Sequence, residues 1–210
     1  MAIRRTLRSA LSIFALTAAL GLTACGGNAD AGASPSASGA AGTSSGTPTP
    51  AVDTRPTPAS STGPARNLPK PEMPAAAREN TKAGFEAFTQ YWFDTVTYAL
   101  ETGDAEPLRA ISKPDCKICN GYLVRATNVS TGDGWESAPR WAVRDFTSTL
   151  KLDPLGQAVG YFIMDESAST RFGKTGEVLK TYEQTSGNEP RAIYAIHDGI
   201  GWKTAQAGNA

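Results

Sequence analysis

Between Ala75 and Thr102 apolar residues recur at helical steps. Phe85, Phe88, Trp92, Val96 and Ala99 fall on one stripe, and Lys82, Glu86, Gln90, Asp94, Thr97 and Glu101 form an opposing polar row. That spacing predicts an amphipathic helix over Ala75–Thr102, with Pro74 tolerated at its start and Gly103 as its stop signal. Tyr91, Phe93 and Tyr98 widen the apolar surface, so the helix is expected to lie along a sheet. Asp104 can cap a short second helix over Ala105–Ile111, with Pro107 in its first turn. After the break at SKPDC, Asp115 can cap a third helix running through Cys119 to about Asn128. STGDGWESAP reads as turn chemistry.

Beyond that point the period changes. Arg140–Leu152, Gln157–Ser167, Glu177–Thr185, Arg191–Ile196 and Trp202–Ala205 are rich in β-formers and are separated by Gly, Pro, Asn and Asp. In QAVGYFIMD both alternating sets, Val159-Tyr161-Ile163 and Phe162-Met164, are apolar, which predicts a strand covered on both faces. Glu177–Thr185 carries charge on both sides, as an edge does. Helices followed by antiparallel strands define an α+β domain: one long N-terminal helix and two short ones packed on a curved sheet of four to five strands.

The front of the chain has a different character. Arg4, Arg5 and Arg8 precede an uncharged apolar run from Ala10 to Leu22, the order of a secretory signal and shorter than the ~20 residues a spanning helix needs. LTAC, Leu22–Cys25, followed by two glycines, resembles the lipobox of bacterial lipoproteins. The resemblance implies a diacylglyceryl thioether on Cys25 after removal of residues 1–24. Two acyl chains suffice for stable anchoring.

Residues 25–70 follow as an Ala/Gly/Ser/Thr/Pro-rich stretch. Gly26–Lys70 holds seven of the 14 prolines, no aromatic residue and one leucine, too little apolar surface to offset the entropy of ordering. It predicts a disordered tether with a reach of roughly 35–40 Å. Residues 71–210 then make one domain of ordinary size.

The whole chain carries 20 basic and 20 acidic residues. With three arginines and no acid ahead of Cys25, the remainder has a net charge of −3. Nucleic acid is not an expected partner, because that needs a clustered basic face. Membrane attachment is expected through the lipid, not through a polybasic patch.

Two levels of resemblance follow from these residues. One long helix, two short helices and a curved sheet ending in DGIGWK resemble the cystatin-like or nuclear-transport-factor-2-like superfamily. More narrowly, PEMPAAARENT, ETGDAEPLRAIS and KPDCKIC, within Glu72–Trp202, resemble a family of uncharacterised actinobacterial lipoproteins with a PDCxxC element. Neither implies a known reaction.

With Cys25 assigned to lipid, Cys116 and Cys119 remain in an exported domain, where disulfides persist. Positions i and i+3 of a helical turn lie about 5 Å apart, within disulfide reach, so a structural bridge is expected. A redox-active pair is the alternative, since C-x-x-C at a helix start lowers a thiol pKa. A zinc site would need ligands that only His197 and carboxylates offer, and no metal or cofactor is expected.

Catalytic signals are weak. His197 is the only histidine and falls in a turn, G-x-S-x-G is absent, GKTGE lacks phosphate-loop spacing, and Asp165 and Glu166 point to opposite faces of a strand. Tyr91, Trp92, Tyr98, Trp141, Tyr161, Tyr182, Tyr194 and Trp202 are expected either to fill the core or to line a cavity between helix and sheet, with Tyr91, Trp92, Tyr98, Trp141, Tyr161 and Tyr194 as the candidate pocket. These readings favour a non-enzymatic binding or assembly domain on the extracytoplasmic face of the membrane, partnered by a cell-envelope protein. The alternatives are a carrier or pocket enzyme for a small apolar ligand, and a thiol-disulfide protein using Cys116 and Cys119.

Overall fold

The computed structural model describes residues 53–210, so the signal region, Cys25 and the first half of the expected tether lie outside the described residues. A single 3-10 turn, Ala75–Arg78, precedes α1 (Lys82–Thr102), α2 (Glu106–Ala110) and α3 (Lys117–Thr131). Eight strands follow: β1 Trp135–Ser137, β2 Trp141–Thr147, β3 Ala158–Glu166, β4 Ser169–Phe172, β5 Val178–Tyr182, β6 Thr185–Ser186, β7 Arg191–His197 and β8 Trp202–Asn209. They form an antiparallel five-stranded sheet in the order β2-β3-β7-β8 with β6 joined to β3, and a three-stranded sheet β1-β4-β5. The fold class is α+β.

The helix expected over Ala75–Thr102 is divided. Thr81 caps α1 by accepting the Gly84 N–H at 2.9 Å, and Glu79 is extended, which separates the 3-10 turn from the helix. Gly84 makes this fold-back feasible, because any Cβ there would run into the Glu79 carbonyl oxygen. At the other end Gly103 adopts φ +80° and its N–H closes on Ala99 O, as a left-handed terminator does.

The polar row of α1 is only partly solvated. Gln90 clamps β2, donating to Trp141 O at 2.8 Å and accepting the Val143 N–H at 2.9 Å. Thr97 donates to Pro139 O at 2.8 Å, and Glu101, 4% exposed, pairs with Arg140 at 2.9 Å. Periodicity cannot show this, since these side chains meet partners far along the chain.

The five-stranded sheet wraps one face around α1. Trp202 stacks on Phe85 with centroids 4.5 Å apart, and Phe146 meets Phe85 edge-on at 5.3 Å. Gly160 leaves the space for the Phe146 ring. At the other end Phe93 contacts Trp141 and Phe162 at 5.5 and 5.7 Å. Aromatic rings bring large buried area to such a core.

Three expectations require correction. β3 is covered on one face only: Ala158 and Phe162 are buried, whereas Tyr161 on the opposite face is 44% exposed. The Trp135–Ser137 part of STGDGWESAP is strand β1, paired with β4 in register Trp135↔Phe172, because a three-residue strand carries no periodic signal.

Finally, residues 53–70 do not hang free. Ala59 and Ala65 are buried, the Ala65 N–H bonds Glu101 O at 3.0 Å, Lys70 pairs with Asp104 at 2.9 Å, and the Trp135 indole donates to Ser60 O at 2.6 Å. Composition predicts that this stretch cannot form its own core, and it does not; it borrows one.

Candidate functional site

The first turn of α3 is set by the disulfide joining Cys116 and Cys119, whose Cα atoms are 5.3 Å apart. The N-cap is Cys116, whose sulfur accepts the Cys119 N–H at 3.3 Å, and not Asp115. Both sulfur-bearing residues are 0% exposed, and a disulfide out of reach of a second thiolate cannot exchange with it. Its consequence is geometric: Lys117 and Ile118 are held outward from the rigid turn, with Ile118 38% exposed.

Behind Ile118 lies a pit of about 110 Å³. Trp92 and Phe93 of α1, Tyr122 of α3, and Phe162 and Met164 of β3 line it, and Arg191 of β7 stands at its rim. Burial, opposed chiefly by the Arg125 guanidinium, holds the Tyr122 phenol above its ordinary range, so it stays a neutral O–H. Among the described residues that hydroxyl has no hydrogen-bond partner, which leaves a donor at the rim. Pockets for drug-sized ligands run about 300–1,000 Å³, whereas this pit has room for one side chain or a few waters, each claiming about 30 Å³.

The pit opens into a groove of about 540 Å³ between Asp115, Lys117 and Ile118 on one side and Ala205, Gln206 and Ala207 of β8 on the other. Ile118 and Ala207 border both spaces.

The six aromatic residues expected to share one cavity do not. Trp92 lines the pit, and Trp141 lies behind it, 6.2 Å from the Tyr122 ring. Tyr91 reaches Pro71 O, and Tyr98 reaches Asp104 at 3.3 Å in a shallow hollow against Pro69 and Arg140. Tyr161 and Tyr194 are on the outer face of the sheet, near in register because Val159 opposes Tyr194. Strand alternation separates Tyr161 from Phe162, and only the sheet's curvature decides which set turns inward. Tyr122 and Arg191 went unnoticed in the sequence; the signal was Tyr122 standing one helical step after Cys119.

His197, Glu136 and Asp198 have structural partners. His197 accepts the Gly199 N–H on Nδ1 at 3.1 Å, so Nε2–H donates to Arg78 O at 2.9 Å. Its ring also meets Trp202 edge-on at 4.8 Å. Glu136, 6% exposed, is held between Arg125 and Arg171. Backbone donors from Ile200 and Gly201 hold the Asp198 carboxyl below its usual range. Among the described residues no three or more His, Cys, Asp or Glu side chains converge, and no helix is long and apolar enough to cross a membrane.

The fold is thus an α+β domain with a lateral groove between α3 and β8. Residues 55–208 match DUF6318, a family of unknown function, and the chain belongs to that family. No curated protein matches the sequence. Among solved structures, the intermembrane space region of the chloroplast protein ARC6 aligns at 11% identity and TM-score 0.45, covering 62% of this chain and 97% of that one. Aln2 from a Streptomyces species aligns at 11% identity and TM-score 0.34, covering 62% of this chain and 90% of that one. Both likenesses are distant and carry no argument about function.

Proposed function

We propose that the protein is a lipid-anchored, extracytoplasmic binding domain that holds a cell-envelope protein in the groove between α3 and β8. The observation that carries this reading is the contrast in volume. The pit of about 110 Å³ is too small for a carried lipid or a pocket substrate, while the neighbouring groove of about 540 Å³ has room for a chain segment and is bordered by an exposed isoleucine. Support for the address comes from the lipobox-like LTAC at Leu22–Cys25 and from a disulfide, which suits an oxidising compartment. The buried sulfurs disfavour thiol exchange, and His197 is spent on holding the 3-10 turn to the last hairpin.

Two measurements test the proposal. Metabolic labelling with an alkyne fatty acid should tag the wild type and not Cys25→Ala; equal labelling removes the anchor. A photo-crosslinking amino acid placed at Ile118 in the full chain, in cells, should trap a protein that the same probe at Val178, exposed on the other sheet, does not. Absence of any adduct from Ile118 removes the binding role.

A further inference from the structure

The groove has a feature that volume alone does not convey: one of its walls is an unfinished sheet edge. In β8 the first half of that edge is already occupied. Thr204 N–H bonds Ile111 O at 2.8 Å and Lys113 N–H bonds Thr204 O at 2.7 Å, with Ser112 bridged to Thr204 in parallel. The chain's own Ile111–Lys113 therefore acts as a short added strand. It stops because Pro114 has no N–H to continue the ladder, and the backbone turns away into α3.

Among the described residues the second half has no such cover. Ala210 N–H bonds Pro190 O at 3.1 Å, and the register pairs Arg191 with Asn209, Ala192 with Gly208, Ile193 with Ala207 and Tyr194 with Gln206. In an antiparallel ladder, residues that exchange hydrogen bonds alternate with residues that do not. Gly208 and Gln206 thus face β7, and the N–H and C=O groups of Ala207 and Asn209 point away from it, with Ala207 bordering the groove. Such groups select an extended main chain as their partner. The outer face of the sheet, with Tyr161 and Tyr194, lacks this signal because β3 and β7 are paired on both sides.

We propose that a segment of a partner protein adds to this edge as a further strand, continuing the line begun by Ile111–Lys113, and that the segment carries apolar and acidic residues at every second position, on the face it turns toward the pit, where Arg191 also lies. The proposal rests on the binding role given above and specifies its chemistry. One apolar side chain on the groove side of the segment enters the 110 Å³ pit between Trp92, Tyr122 and Phe162. Acidic residues meet Lys117 and Arg191, which form no ion pair among the described residues; Arg191 contacts only the Asn209 amide oxygen. Over groove and pit together, Asp115 is the one acid among the lining residues, against Lys117 and Arg191.

The test uses the full chain and dodecapeptides displayed on phage. Selection should enrich sequences in which apolar and acidic residues share every second position. A selected peptide, synthesised with blocked ends, should slow hydrogen exchange at the Ala207 and Asn209 amides at least tenfold. Ala207→Pro removes an outward N–H without breaking the β7 ladder and should weaken the peptide at least tenfold. Arg191→Glu, which leaves the backbone alone, should do the same for acidic peptides, whereas Tyr161→Ser on the outer face should change nothing.

Failure to select any peptide overturns strand addition, as do affinities unchanged by both Ala207→Pro and Arg191→Glu, or binding without slowed exchange at those amides. So does a peptide-free dimer abolished by Ala207→Pro, which would assign the edge to a second copy. An adduct at Ile118 in cells alongside any of these failures leaves the binding role standing and removes only the strand mechanism.

Discussion

The two sheets are built on different physics. The five-stranded sheet lays Ala158, Phe162, Ile193, Ala195 and Trp202 against α1, all 2% exposed or less, and its stability comes from apolar area removed from water. The three-stranded sheet has almost no such interior. Val178 and Leu179 of β5 are each 60% exposed, and the sheet is fastened by polar links: Glu136 between Arg125 of α3 and Arg171 of β4, and the Trp135 indole bonded to Ser60. A packed core tolerates displacement of no single ring, whereas a tethered sheet depends on a few directional contacts and can open by itself.

That contrast can be broken or sharpened by substitution. Trp202→Ala removes the ring stacked on Phe85 and should cost about 3–5 kcal/mol, read by denaturant unfolding, with the whole domain losing cooperativity together. Glu136→Ala should cost about 1.5–3 kcal/mol, the range for hydrogen bonds to charged groups. Hydrogen exchange should then accelerate in β1 and β4 while β3 and β7 stay protected; uniform acceleration would mean that the two sheets share one core after all.

Thr204→Val tests the apolar sheet in the opposite direction. The Thr204 hydroxyl is fully buried with no hydrogen-bond partner, so replacing it with a methyl should raise stability by about 1 kcal/mol. The smallest effect concerns the seam with residues 53–70. Burial raises the Glu101 carboxyl above its ordinary range, opposed by the Arg140 ion pair. Protonation of Glu101 thus favours the folded state: its contribution is complete below the ordinary carboxyl range and is lost as pH rises through the raised one. Glu101→Gln should flatten the stability profile between mildly acidic and neutral pH; an unchanged slope would assign it to another group.

Helices and strands with a strong period were legible, but their partners were not. Phe85, Phe88, Trp92 and Val96 announce the buried stripe of α1, yet nothing local indicates that Gln90 clamps β2 or that Thr97 and Glu101 are covered. QAVGYFIMD announces a strand but not that Tyr161 faces out. The groove was the least legible feature, since its walls come from Ile118 and Ala207, 89 positions apart in the chain, and its signal is a set of backbone groups that any residue but proline would supply.

Sequence alone determined the α+β order, the cysteine pair at one helical step and the lipobox-like LTAC, because these depend on neighbours within a few residues. Tertiary structure decided how far the interior is filled, which tyrosines turn outward, that residues 53–70 lie against the domain, and where the sheet stays open. Those outcomes depend on which distant surfaces meet, and meeting is settled by packing and by which backbone groups find partners.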